Sequence, residues 1–488
     1  MRVVSVWNIS QGRTAFILVL TALLVHLPGF SPIVLARQAA GPQLENLKQQ
    51  ARAAVASGRW DVAVDFYGKA VDLAPKELDL RVELAAVLTK AGRPADSIAM
   101  FQEALRISPR NLPAKIGLAQ AYRSIPNYEE ARRVLEGAAQ AYPKSALPLA
   151  EWGDLELQLQ TYDAAIGHLK AAVALAPTSV ETRNLLAAAY KAKGDQESAL
   201  AELAKVLKRD PDNALALFLR AEIYSDRNQD DLALADAQKV VELQPQNASG
   251  RVLLGKILLR APEGMAPEQT AKRCSDAVAA LEPVAAAKDK DSQTLFLLSR
   301  AYRCAGRLED AERVSAEFEA ASQKERSTKE NEAQAMHLVQ QADEAALKND
   351  FAGAIDLLQQ ALAKDPNSGA AYSMMAKLYY SAGDTDRASD AIGKALERGP
   401  HQPDFLYVQG KIFEKQGKLD EALASFEQTT LINPKESDAF FEMGAIYQQK
   451  NDRTRAAAAY KKAVELAPED PDYRRALASV TGGRPTSH

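Results

Sequence analysis

The sequence predicts an all-α fold, an α-solenoid of about twelve 34-residue helix-turn-helix repeats. Three observations predict it. The first is proline phase: Pro75, Pro109, Pro143, Pro177, Pro211 and Pro245 stand 34 residues apart, and so do Pro366, Pro400, Pro434 and Pro468. A fixed period of this size marks a repeat architecture. Proline cannot continue a helix and turns its predecessor away from helical angles, so each one marks a boundary between helices. The second is a pair of small-residue columns in the same phase. Ala51, Ala85, Ala119, Gly153, Ala187, Ala221, Ala342, Ala376, Gly410 and Gly444 precede the prolines by 24 residues, and Ala63, Ser97, Ala131, Ala165, Ala199, Ala233, Ala354, Ala388, Ala422 and Ala456 precede them by 12. Large residues fill the complementary columns: Tyr122, Tyr190, Tyr224, Tyr379, Phe413 and Tyr447, then Tyr67, Phe101, Leu135, Leu169, Leu203, Leu358, Phe426 and Tyr460. Small against large on facing surfaces is how helix pairs interlock. The third is punctuation. Gly58, Gly92, Gly194, Asn228, Asn349, Gly383, Gly417 and Asn451 tolerate left-handed angles where a first helix must stop. Asn111, Ser145, Ser179, Asn213, Asn247, Ser368 and Asp470 are helix N-cap types two residues after a proline.

Composition bounds the alternatives. Of 488 residues, 60 are Lys or Arg and 64 Asp or Glu, a net charge of −4, which disfavours broad neutralisation of nucleic acid. With 47% hydrophobic residues, disorder over the whole length is not expected. Two cysteines are too few for a disulfide-dense scaffold or a Cys-based zinc cluster. Length alone points to about three globular domains, but the phase replaces these with one quasi-linear stack in which each repeat touches its neighbours.

The elements follow in order. Residues 1–36 read as a signal peptide: Arg2 and Arg13, an apolar run from Ala15 to Val25, a break at Pro28-Gly29 and Val34-Leu35-Ala36 at the cleavage position. The repeats are then expected outside the cytoplasm, periplasmic or secreted. A second reading keeps the segment as an uncleaved membrane anchor, although the run is short for a span. Residues 44–321 form a first array of about eight repeats. From Pro245 to Pro366 is 121 residues, nineteen more than three periods. Part of the surplus is an enlarged turn at 261–272 in the seventh repeat. The rest is a charged spacer at 322–334, without Gly or Pro and without an apolar stripe, either a solvated helix or a disordered linker. Residues 335–468 form a second array of four repeats, 469–480 a capping helix, and 481–488 a disordered tail.

Cys274 begins the second helix of repeat seven and Cys304 ends the first helix of repeat eight. Successive helices in such a stack run antiparallel, so the two thiols can meet as a disulfide; the other reading is two separate buried cysteines. A search for chemistry finds little. The five histidines, His26, His168, His337, His401 and His488, show no metal spacing. No phosphate loop or nucleophile elbow stands out, and the array leaves no room for a catalytic domain. No catalytic residue, cofactor or metal is expected.

Trp152-Gly153, followed by Tyr162, Ala165, Leu169, Ala172 and Pro177, carries a further inference: the chain resembles the tetratricopeptide repeat (TPR) family across residues 44 to 468. The resemblance implies a right-handed superhelix that binds peptides or proteins in a concave groove lined by the first helices. On that face lie Lys48, Arg52, Asn184, Phe218, Lys256, Phe296, Arg300, Arg303, Tyr380, Tyr407, Lys411 and Phe441, a mixture of aromatics and cations of the kind enriched among binding anchors. Phe218 and Phe296 have a second reading as packing between repeats. Lys48 and Asn184 lie in non-adjacent repeats and do not form the family's carboxylate clamp. The sequence therefore points to an exported protein-protein interaction scaffold without enzymatic activity. An accessory of envelope polysaccharide export or glycan binding is the alternative, and an enzyme using scattered carboxylates is remote.

Overall fold

The computed structural model describes residues 32–260, 265–287 and 291–482. Nearly all of the predicted leader and the end of the tail lie outside the described residues. Within them the chain is helical, with no strand. The helices are α1 (Pro32–Ala56), α2 (Trp60–Leu73), α3 (Leu78–Lys90), α4 (Pro94–Ile107), α5 (Leu112–Ser124), α6 (Tyr128–Ala141), α7 (Leu147–Gln158), α8 (Tyr162–Leu175), α9 (Val180–Lys193), α10 (Gln196–Arg209), α11 (Ala214–Asp226), α12 (Asp230–Leu243), α13 (Ala248–Leu258), α14 (Pro267–Ala285), α15 (Ser292–Cys304), α16 (Leu308–Leu347), α17 (Phe351–Lys364), α18 (Gly369–Ser381), α19 (Thr385–Arg398), α20 (Pro403–Lys415), α21 (Leu419–Ile432), α22 (Ser437–Gln449), α23 (Arg453–Leu466) and α24 (Pro471–Thr481). Two compact units are present, residues 1–124 with α1–α5 and residues 125–488 with α6–α24.

The columns form the core. The second small column, from Ala63 to Ala456, is buried in every repeat, and so is the large column from Tyr67 to Tyr460. The two faces of a repeat are in van der Waals contact. A Cβ added at Gly153 would lie 2.4 Å from Leu169, and one at Gly410 would lie 2.6 Å from the Phe426 ring. Sixteen residues separate glycine and partner in both cases, so the first helix approaches the second as closely as the large side chain allows.

The punctuation works as local chemistry. All eight predicted stop residues have positive φ, and Gly306 and Gln160 join them. Asn111, Ser179, Asn213, Asn247, Ser368 and Asp470 each accept a hydrogen bond from a first-turn N–H. Ser145 does not cap: α7 begins two residues later, with Ala146 at the cap position and Pro148 in the first turn. A further device escaped the sequence reading. Six residues after three phased prolines stands an arginine that folds back onto the proline carbonyl: Arg81 onto Pro75 (2.6 and 3.2 Å), Arg183 onto Pro177 (3.0 and 3.2 Å) and Arg251 onto Pro245 (2.6 Å). Proline leaves that carbonyl outside any helix, and the guanidinium satisfies it.

Repeats seven to nine depart from the pattern. The enlarged turn is shorter than expected, because Pro267–Lys272 is already helical. Proline suits the first helical turn, and Glu268, Gln269, Ala271 and Lys272 are good helix formers. Arg273 donates to the carbonyls of Ile257, Leu258 and Arg260, taking the part that a left-handed stop residue plays elsewhere. Cys274 and Cys304 are joined in a disulfide with Cα atoms 5.5 Å apart, tying α14 to the end of α15. Residues 322–334 are helical and continuous with both neighbours. α16 serves as the second helix of repeat eight, the spacer and the first helix of repeat nine.

Candidate partner-binding surface

Both helices of the repeats in unit 2 expose some large apolar side chains, Leu175, Leu232, Leu308 and Phe351 on second helices and a further set on first helices. Leu147, Leu215 and Met336 share one register, six residues ahead of the small residue of their repeat, and are 45%, 54% and 72% exposed. Phe296 and Leu347 lie on first-helix stretches as well and are also exposed. Recurrence at one register places this apolar surface on the face common to the first helices, because a helix repeats its orientation with the phase of the array.

The predicted groove residues divide by environment. Phe296 is exposed at one edge and packs the other against Phe318, ring centroids 5.6 Å apart. The Arg300 guanidinium lies 5.7 Å from the Phe296 ring, and Arg303 is exposed one turn further on. On the adjacent first helix Lys256 is half-buried. Among the described residues, these three cations enter no ion pair, on a surface where most others do. Phe218 is half-buried against the core. Asn184 is buried; its amide donates to Asn213 Oδ1 (3.0 Å), while its own Oδ1 accepts no hydrogen bond among the described residues. Lys48 is paired with Glu77 (2.7 Å) and Glu45 (3.2 Å), and Arg52 with Glu83 (3.5 Å).

In the second array the candidates are engaged. Tyr380 lies under Lys415, whose ammonium is 4.4 Å from the ring and donates to the Tyr380 carbonyl. Tyr407 packs on Phe426, and Phe441 stacks on Tyr473 with centroids 5.0 Å apart. Lys411 donates to Glu442 (2.8 Å) and Glu414 (2.9 Å). Burial opposes its charge, but the two carboxylates outweigh burial and raise its pKa above the usual lysine range. Exposed aromatic and cationic character is thus concentrated on repeats seven and eight.

A pocket of about 390 Å³ opens between α7 and α9, the first helices of repeats four and five. Its apolar lining is Ala146, Leu147, Ala150, Ala176 and Leu185; its polar lining is Glu151, Asp154, Ser179, Glu181 and Thr182. No lysine or arginine is among these residues. The pocket was not visible in the sequence, because it is made by two repeats whose small residues leave space between neighbouring helices.

A polar network stiffens the helix pair beneath it. Glu156, 4% exposed, accepts from Arg132 Nε (2.7 Å) and Nη2 (2.8 Å), from Trp152 Nε1 (3.1 Å) and from the Thr161 hydroxyl. Burial pushes its pKa up, and hydrogen bonds from Arg132, Thr161 and Trp152 overcome this and hold it below the usual carboxylate range. Trp152 also stacks on His168, centroids 4.0 Å apart. Every lone-pair direction of Glu156 is engaged, by Arg132 of repeat three and by Trp152 and Thr161 of its own repeat, so this carboxylate serves packing rather than proton transfer. Among the described residues no group of three or more His, Cys, Asp or Glu side chains could hold a metal ion. No described helix is long and apolar enough to cross a membrane.

Comparison with known proteins fits this architecture. Family models described as tetratricopeptide repeat match residues 88–148, 156–223, 345–412 and 414–480, with two others at 48–111 and 214–247. Human DnaJ homolog subfamily C member 7 is 22% identical over 208 residues, 40% of this chain and 42% of its own length, so the match spans less than half of that relative. Among solved structures, a tetratricopeptide repeat protein from Parabacteroides merdae is 20% identical with a TM-score of 0.40, over 54% of this chain and 99% of its own. The APC/C Cut9–Hcn1 hetero-tetramer matches 92% of this chain and 99% of its own, at 13% identity and a TM-score of 0.36. The repeat phase, the interlocking columns and the family models agree, and the chain belongs to the tetratricopeptide repeat family.

Proposed function

We propose that this protein is an exported, non-enzymatic scaffold that holds protein or peptide partners against the first-helix face of its repeats. The observation that carries the reading is the patch on that face in which exposed Phe296 stands beside Arg300, Arg303 and Lys256, cations that enter no ion pair among the described residues. An aromatic anchor flanked by cations without internal partners is a surface suited to contact, since desolvating it against a complementary partner breaks no ion pair of its own. The basic and apolar leader pattern and the disulfide between Cys274 and Cys304 support export. The absence of any catalytic constellation in the sequence supports a binding role. The test is a crosslinking pull-down from envelope fractions with the Phe296→Ala/Arg300→Ala double variant. Partner capture should fall while helicity stays unchanged and melting drops only by the small loss of the Phe296–Phe318 contact. Undiminished capture, or recovery of glycan with no protein, contradicts the reading.

A further inference from the structure

The first-helix face pairs its cations by a rule of its own. Arg52 follows the small residue Ala51 and Lys411 follows Gly410, so the two share one register. Each is met by a glutamate of the next first helix, two residues ahead of that helix's small residue: Arg52 by Glu83 at 3.5 Å and Lys411 by Glu442 at 2.8 Å. One turn further along the register, Lys191 is met from the next first helix by Glu222 at 2.7 Å. At these rungs the neighbouring repeat supplies the carboxylate.

At repeats seven and eight it does not. Lys256 and Arg300 hold the register of Arg52 and Lys411, directly after Gly255 and Ser299. The position that answers Lys256 is Leu297, which is 6% exposed and belongs to the core, and the position that answers Arg300 is Gln340. Neither side chain carries a charge. Arg303 holds the register of Lys191. Asp343 stands where Glu222 does, on the far side of the spacer, and among the described residues no ion pair joins it to Arg303. Phe296, one turn before Arg300, keeps 44% of its surface exposed while Phe318 holds its other edge. The patch is thus an open aromatic edge among three cations, at the register where carboxylates stand elsewhere. Separate carboxylates on either side of an apolar side chain match it in both charge and polarity.

We infer that repeats seven and eight bind an acidic partner segment in which Asp or Glu side chains flank an apolar one. Its carboxylates take the places of the missing glutamates at Lys256, Arg300 and Arg303, and its apolar side chain covers the open edge of Phe296. The carboxylates are those of side chains, so no free chain terminus is required. The inference rests on the first-helix face being the partner-binding surface, and it adds the chemical class of the partner.

The experiment uses the full chain and two fluorescein-labelled peptides with amidated C-termini, one alternating glutamate with leucine and its counterpart with arginine for glutamate. The variants are Arg300→Glu and Arg303→Glu, both at exposed positions, with Arg453→Glu on a second helix as the same charge change elsewhere and circular dichroism as the check on folding. The glutamate peptide should bind in fluorescence anisotropy and weaken with salt. Arg300→Glu and Arg303→Glu should each lose at least about tenfold in affinity, and Arg453→Glu should bind as the parent does. Absence of glutamate-peptide binding by the parent, equal binding of both peptides, or an equal loss in Arg453→Glu overturns the inference. Binding only when the peptide carries a free C-terminal carboxylate overturns it as well. If the inference fails in any of these ways while Phe296→Ala/Arg300→Ala still lowers capture of the native partner, the acidic class is wrong and the scaffold reading stands. If that capture is also undiminished, both fail.

Discussion

At the scale of the residue, the fold is set by a few contacts repeated in phase. Gly410 shows the limit. Its missing Cβ is occupied by the Phe426 ring, which is fully buried and cannot withdraw. Gly410→Val should therefore destabilise the chain by about 1–3 kcal/mol through overpacking, read as a lower denaturant midpoint; a neutral effect would show that the two helices can move apart. The small and large columns were legible in the sequence because each demands a residue type. The arginine clasps on Pro75, Pro177 and Pro245 were not, because arginine is equally at home on a solvated face. His168 makes a prediction about pH. Burial against Trp152 lowers its pKa below the ordinary histidine value, with the Glu156 carboxylate opposing. The neutral ring is the form that the folded state favours. Its contribution is complete above about pH 6.5, the unperturbed value, and is lost as the pH falls through the lowered pKa. Thermal melts between pH 7 and 5 should show a steeper fall for the parent than for His168→Phe, which keeps the stack without the proton. Parallel curves would remove His168 from the pH response.

At the scale of the element, capping and termination explain most helix boundaries, and the exceptions have physical causes. In repeat seven Arg273 supplies hydrogen bonds to the end of α13 from fifteen residues away. No sequence pattern links these two positions; only the folded turn does. For residues 322–334, helix and linker could not be separated by composition. The structure makes them helical, since the segment has no breaker and both flanking stretches are already helical. Thr328→Pro tests the continuity of α16. Hydrogen exchange should accelerate around residues 324–332, because proline removes a hydrogen bond and clashes with the preceding turn. Protection at Ala342 and Ala354, buried in repeat nine, should persist. Loss of protection throughout α17 and α18 would instead make the spacer part of a single cooperative unit.

At the scale of the molecule, the sequence carried the architecture further than the site. Period, columns and turns specify the same helix pair again and again, so agreement between them fixed the fold without any single decisive motif. Binding surfaces do not repeat, and the phase is silent about them. Tyr407, Lys411 and Phe441 occupy the predicted face, yet aromatic packing and ion pairs engage them. Phe296, Arg300 and Arg303 occupy the same face and keep exposed surface.

The central claim is that partners are held on the first-helix face, and the most direct measurement is in-cell photo-crosslinking from single positions. A photo-reactive amino acid is placed at position 147 or 296 on first helices, and at position 232 on a second helix, where Leu232 is 51% exposed. Positions 147 and 296 should yield the same protein adduct, and position 232 should yield none. An adduct from position 232 as strong as those from the first helices, or no protein adduct from either first-helix position, would contradict the account.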